Sequence, residues 1–133
     1  QLEKLPHNNQ LRRARTTLYH ELLQELCPAV SVPFQKHPGI SAGHLLPVLL
    51  PEGTSREACM EQLKSQGIQT SIHYPPIHQF SAYRDLPIQE ALDLRRTESL
   101  AAREMTLPLY PALSEADVTF VVEALRDSLA VSN

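Results

Sequence analysis

Gly67-Ile-Gln-Thr-Ser-Ile-His-Tyr-Pro-Pro-Ile-His78 is the stretch from which the architecture can be read outward. Ile68, Thr70, Ile72 and Tyr74 alternate with Gln69, Ser71 and His73, the period of a half-buried strand. Gly67 ahead of it is the residue type that most readily takes the left-handed conformation just past a helix end. Pro75-Pro76 behind it stops any ladder, because neither ring offers an N–H. A helix, a short strand and a rigid turn therefore follow one another within a few residues.

Upstream, Thr54-Ser-Arg-Glu57 has the threonine-to-glutamate spacing of a capping box. It predicts a helix that runs through Ala58, Met60, Leu63 and Gln66 to Gly67. Before it, Val30-Ser-Val-Pro-Phe34 and His44-Leu-Leu-Pro-Val-Leu-Leu50 read as an antiparallel strand pair. Pro33 and Pro47 confine that pair to edge or bulge positions. From Asn9 to Leu26, Leu11, Ala14, Leu18, Leu22 and Leu26 recur at helical spacing, with Arg12, Arg13 and Arg15 opposite them as a solvated face. Pro28 marks the stop of that helix.

Downstream, Ile77 to Arg96 has only loose periodicity, with His78 to Tyr83 as a candidate short helix. Thr97 to Arg103 reads as helical. Met105-Thr-Leu-Pro-Leu-Tyr110 reads as a strand closed by Pro111, and Ser114-Glu-Ala-Asp117 as the cap of a last helix lined by Val118, Val121, Val122, Leu125 and Leu129. The order predicts an α+β domain over residues 1–133, a small, mostly antiparallel sheet of three to four strands covered by helices.

The chain has 133 residues and is 42% hydrophobic. At this length folding removes roughly two-thirds of the chain's surface from water, so a core forms without staples. Twelve Lys and Arg against fifteen Asp and Glu, with no long run of one sign, exclude the electrostatic footprint of a nucleic-acid or anionic-membrane binder. The apolar run Leu45 to Leu50 is far short of the ~20 residues that span a bilayer. Cys27 and Cys59 share no ligand spacing and read as buried free thiols, which suits a reducing, cytoplasmic setting. No initiator Met stands before Gln1, so the chain is expected to be a piece of a longer protein.

The densest cluster of chemically useful side chains is His73-Tyr-Pro-Pro-Ile-His78, with Tyr83 and Arg84 after it. Two imidazoles at a strand end, on a loop held by two prolines, form either a ligand-contacting rim or a rigid turn with surface histidines. No carboxylate or thiol at ligand spacing joins them, so no metal site is expected. Nucleophile elbows are absent, and the four glycines are isolated, so no phosphate cradle exists by motif. Lys4, Lys36 and Lys64 lie in polar or exposed contexts and none reads as a desolvated Schiff-base amine.

Several segments in order resemble the C-terminal small domain of the DegT/DnrJ/StrS sugar aminotransferases, fold-type I enzymes that use pyridoxal 5′-phosphate. Leu2-Glu-Lys-Leu-Pro6 with Asn9, Arg12, Arg13, Ala14 and Tyr19 is similar to the family's passage from the large domain into the long small-domain helix. Gly43-His-Leu-Leu-Pro-Val48 resembles its strand, and Arg56 with Leu63 and Gly67-Ile68 its helix and turn. Ile72-His-Tyr-Pro-Pro-Ile-His78 resembles its most specific motif. Thr97-Glu98, Leu107-Pro-Leu-Tyr-Pro111, Leu113-Ser-Glu-Ala-Asp117 and Val121 resemble its closing pattern. Where the family has a Gly-Asp-(aromatic or Leu)-Pro pattern, this chain has Asp85-Leu-Pro87 and a leucine- and arginine-rich stretch.

The resemblance implies transfer of an amino group, typically from glutamate, to a keto sugar linked to a nucleotide, in polysaccharide or antibiotic-sugar biosynthesis. It implies that residues 1–8 end the connection from a large domain carrying the Schiff-base lysine, and that the full-length protein is a cytoplasmic homodimer. It also implies that His73, Tyr74 and His78 border the substrate cleft, His73 foremost, with Tyr74 and His78 shaping the loop. The catalytic lysine would lie upstream, so the fragment alone is expected to be inactive and to bind no pyridoxal phosphate. Two alternatives are a PLP/PMP-dependent sugar dehydratase of the same family and a non-catalytic interaction module.

Overall fold

A 22-residue helix, α1 (Leu5–Leu26), opens the fold in this computed structural model, with Pro6 in its first turn, where a missing N–H costs nothing. The structure describes residues 1–35, 38–83 and 93–131. Along α1 the row at four-residue spacing is Arg15, Tyr19, Leu23 and then Cys27, and Tyr19, Leu23 and Cys27 are buried. Leu18, Leu22 and Leu26 flank that row, whereas Ala14 is exposed. The core-facing stripe is therefore rotated by about one residue from the predicted leucine stripe. The reason is Tyr19, whose ring fills the core while its hydroxyl donates to the Pro108 carbonyl at 2.9 Å. Arg15 lies on this inner row rather than on a solvated face. Its guanidinium donates to the Leu113 carbonyl at 2.6 Å and pairs with Glu115 at 2.9 Å.

Two strands, β1 (Leu46–Leu49) and β2 (Glu104–Leu107), form an antiparallel ladder with Leu46 opposite Leu107 and Leu49 opposite Glu104. The fold is α+β, but among the described residues the sheet has two strands rather than the three or four predicted. All four predicted strand segments nevertheless lie side by side. Ser31 makes an isolated antiparallel bridge to Leu49 on one flank, and Ser71 makes another to Thr106 on the other.

What stops each outer segment is a missing donor or a competing acceptor. Continuing the Ser31–Leu49 register sets Pro33 opposite Pro47 in one direction and Pro51 opposite Ala29 in the other, and a proline has no N–H to give. Continuing the Ser71–Thr106 register sets Gln69 opposite Pro108 and His73 opposite Glu104. There the His73 N–H donates to the Glu104 carboxylate at 3.0 Å, and the Glu104 carbonyl is taken by Arg56 Nη1 at 3.2 Å.

Helix α2 (Arg56–Ser65) is capped by Ser55, whose hydroxyl accepts from the Ala58 N–H at 3.2 Å. The cap is thus one residue later than the predicted Thr54 box. Gly67 follows at φ 79°, the left-handed conformation expected there. Helix α3 (Arg95–Arg103) runs directly into β2. Two arginines fasten that junction: Arg103 donates to the Leu50 carbonyl at 2.9 Å, and Arg56 donates to the carbonyls of Ala101 and Glu104.

The last helix, α4 (Glu115–Val131), packs on both α1 and α2. Its start is a reciprocal cap: the Ser114 N–H donates to Asp117 Oδ2 and the Asp117 N–H donates to Ser114 Oγ, each at 3.0 Å. The Ser114 hydroxyl and amide together hold the Asp117 carboxyl below its usual range. Val118, Val121, Val122 and Leu125 are buried against Leu23, Leu50, Leu63 and Met105, and the predicted Leu129 packs at the edge of this core.

Both cysteines are buried free thiols, as predicted. Burial pushes the Cys27 thiol up to about 11, and it raises Cys59 as well. Between the strands and α3, Ile77–Gln79 and Ser81–Tyr83 form two single 3₁₀ turns in place of the short helix predicted over His78 to Tyr83. Arg84, Asp85, Leu86, Pro87 and Lys36 lie outside the described residues.

Candidate functional site

A cleft of about 520 Å³ opens between the end of β2, the start of α4 and the segment after Gly67. Gln69, Ser71 and His73 line one wall, Thr106 lies on its floor, and His44, Tyr110 and Asp117 close its rim. A second hollow of about 680 Å³ lies against α2, lined by Met60, Lys64, Thr70 and Ile72. From Thr70 to His73 the alternation read from the sequence thus survives without the strand, whereas Ile68 and Gln69 line both hollows. Ser71 and His73 face the first hollow, and Thr70 and Ile72 face the second.

His73 is held at three points. Its backbone N–H donates to Glu104 Oε2 at 3.0 Å, its Nδ1 lies 3.0 Å from Thr106 Oγ1, and its ring meets Tyr74 edge-on with centroids 5.0 Å apart. Thr106 is buried, and its hydroxyl donates to Glu104 Oε1 at 2.9 Å. Every polar atom of this trio that sits below the cleft floor therefore has a partner, as burial requires.

The predicted site residues divide. His73 lines the cleft. Tyr74 stands out from the surface, 74% exposed, at the edge of the His73 ring. His78 turns to α3, where its Nε2 lies 2.9 Å from Glu98 Oε1, and its side chain is 10% exposed. The structure thus brings His73 and Tyr74 together and sets His78 against a different element. Glu104 and Thr106 were not among the predicted site residues. Their signal is the strand period, which puts 104 and 106 on one face, together with a hydroxyl inside the otherwise apolar run Met105 to Leu107.

The described residues do not by themselves fit pyridoxal phosphate. Lys64 projects into water beside Glu61 at 3.5 Å, and Lys4 is exposed, so neither amine is desolvated in the His73 cleft. The cleft wall also carries no lysine or arginine that would pair with a phosphate. Among the described residues no group of three or more His, Cys, Asp or Glu is placed to hold a metal ion. No helix among them is long and apolar enough to cross a membrane.

The family model of the DegT/DnrJ/EryC1/StrS aminotransferases matches residues 1–126. Among solved structures, the chain aligns with Helicobacter pylori PseC, an aminotransferase involved in the biosynthesis of pseudoaminic acid. The TM-score is 0.87 at 24% identity, over 98% of this chain and 35% of that one. It also aligns with DesI, solved in the presence of its TDP-sugar product, with a TM-score of 0.84 at 30% identity, over 96% of this chain and 33% of that one. The PLP form of a Streptococcus pneumoniae protein gives a TM-score of 0.82 at 20% identity, over 99% of this chain and 34% of that one, a likeness of fold. This chain therefore spans about a third of the length of these proteins.

Proposed function

Because the chain belongs to the DegT/DnrJ/EryC1/StrS aminotransferase family, we propose that it is the small C-terminal domain of a PLP-dependent sugar aminotransferase. The observation that supports this reading most directly is the match of the family model over residues 1–126 by a chain whose described lysines, Lys4 and Lys64, fit no Schiff base. In this reading the cofactor and its lysine belong to a large domain preceding the chain, with residues 1–8 as the end of the connection. The cofactor supplies the electron sink for amino transfer. This chain supplies the wall that carries His73 and Tyr74, with His78 tying the same loop to α3. The amino donor is glutamate and the acceptor a keto sugar attached to a nucleotide. The enzyme works as a homodimer.

On this reading His73 contacts the substrate, Tyr74 flanks it, and His78 keeps the loop in place through Glu98. The test is an assay of the enzyme that carries this chain, with glutamate as donor and a panel of keto nucleotide sugars as acceptors. Formation of the amino sugar is expected, with His73→Ala lowering kcat/KM by about tenfold or more, the loss of one well-placed polar contact. The 133-residue chain alone is expected to show neither amino transfer nor cofactor binding. Deoxygenation of the same sugars without amination would replace this reading with the dehydratase one.

A further inference from the structure

The cleft holds a hydrogen-bond chain whose direction is fixed by the chemistry of its members. Glu104 is a carboxylate and only accepts. It accepts the Thr106 hydroxyl proton at Oε1, 2.9 Å away, and the His73 backbone N–H at Oε2, 3.0 Å away. A threonine hydroxyl has one proton, and here it is committed to Glu104, so toward His73 the same oxygen can only accept. The 3.0 Å contact between His73 Nδ1 and Thr106 Oγ1 must then be a donation from Nδ1–H. A neutral imidazole with its proton on Nδ1 has Nε2 as its acceptor.

We infer that Glu104 and Thr106 are positioning residues that hold His73 as the Nδ1–H tautomer, so that Nε2 is offered to a donor on the ligand, a sugar hydroxyl or an ammonium group. The inference rests on the reading of His73 as substrate-facing only for the identity of that donor; the tautomer follows from this chain alone. The scaffold supports the assignment. The Glu104 carbonyl is held by Arg56, and Thr106 lies in the buried β2 with its backbone paired to Ser71 in both directions, at 2.8 and 3.2 Å. The carboxylate and the hydroxyl therefore share β2, whose backbone is fastened by Arg56 of α2 and by Ser71. Dual anchoring of His73, at its backbone and its ring, fixes the position of the imidazole as well as the site of its proton.

The experiment is ¹⁵N-detected NMR of the His73 ring in the 133-residue chain at a pH where the ring is neutral, on wild type, Thr106→Val and Thr106→Ser. A protonated, pyrrole-type Nδ1 and a pyridine-type Nε2 are expected in wild type and in Thr106→Ser, with a shift toward the Nε2–H form in Thr106→Val. A pyridine-type Nδ1 in wild type overturns the inference, and so does an unchanged tautomer in a folded Thr106→Val. Should Thr106→Val fail to fold, Glu104→Gln provides the same test. A Gln amide donates to Thr106, frees the hydroxyl proton for Nδ1 and populates the Nε2–H form; an unmoved tautomer there overturns the inference.

In the enzyme that carries this chain, Thr106→Val is expected to lower kcat/KM for the keto sugar by about three- to tenfold, with Thr106→Ser restoring it. Equal kcat/KM in wild type and Thr106→Val overturns the positioning role. The NMR result stands or falls whether or not amino transfer is observed, so failure of the inference and failure of the functional reading are separable.

Discussion

The helical body of this domain and the segment Tyr74 to Tyr83 use apolar residues in opposite ways. In the body, Leu63, Val118, Val122 and Leu125 are wholly buried in one hydrophobic cluster. From Tyr74, the residue directly after the tightly held 67–73 segment, the situation is reversed. Tyr74 and Ile77 are 74% and 66% exposed, and Phe80 and Tyr83 are 40% and 42% exposed. The first set stabilises the fold; the second leaves much of its apolar surface in water, Tyr74 and Ile77 above all. His73 stands on the border between them, its backbone and ring tied to β2 and its cleft side open.

Substitution separates the two regions most sharply. Leu63→Ala is expected to destabilise the domain by about 2–5 kcal/mol, through lost burial and an unfilled cavity. Ile77→Ala, on the exposed turn, should stay within about 0.5 kcal/mol of wild type. Urea or thermal unfolding of both variants checks the pair, and comparable losses would erase the distinction.

A smaller effect is expected from alkaline pH. The Cys27 thiol is raised from about 9 to about 11 by burial. Its contribution is fully present below pH 9 and is lost as pH rises through 11, because the unfolded chain releases the proton first. Unfolding followed from pH 8 to 11 should show stability falling by at most roughly 2–3 kcal/mol from this group. Cys27→Ala should flatten part of that slope while leaving the geometry around His73 as it is.

Much of this fold was legible because the relevant signals are local. The 3.6-residue period and the Ser114–Asp117 pair located α4, the Gly67 conformation located the end of α2, and β1 and β2 were found from apolar runs. The α1 stripe was misread by one residue because apolar counting gave weight to leucines and none to Tyr19, whose ring lies in the core and whose hydroxyl needs the Pro108 carbonyl. The outer strands were over-predicted because alternation reports which face a residue takes, not whether a partner N–H exists. Pro33, Pro47, Pro51 and Pro108 remove those donors, and Glu104 diverts the one at His73.

The site was half legible for a similar reason. His73 stood out by type and by its alternation, but its hold on Glu104 and Thr106 spans more than thirty positions and exists only once β2 lies beside the 67–73 segment. Likewise the placement of His78 against Glu98 depends on where α3 lies, which no local pattern before it determines.

Backbone amide exchange of the proposed full-length aminotransferase, with and without a keto nucleotide sugar, tests most directly whether the His73 side of the domain faces that sugar. Slower exchange is expected at His73, Tyr74, Ile77 and His78 when the sugar is present, with Val48, Met105 and Val122 unchanged. Protection confined to the α2 hollow around Met60, Thr70 and Ile72, with the amides from 73 to 78 unaffected, would contradict it.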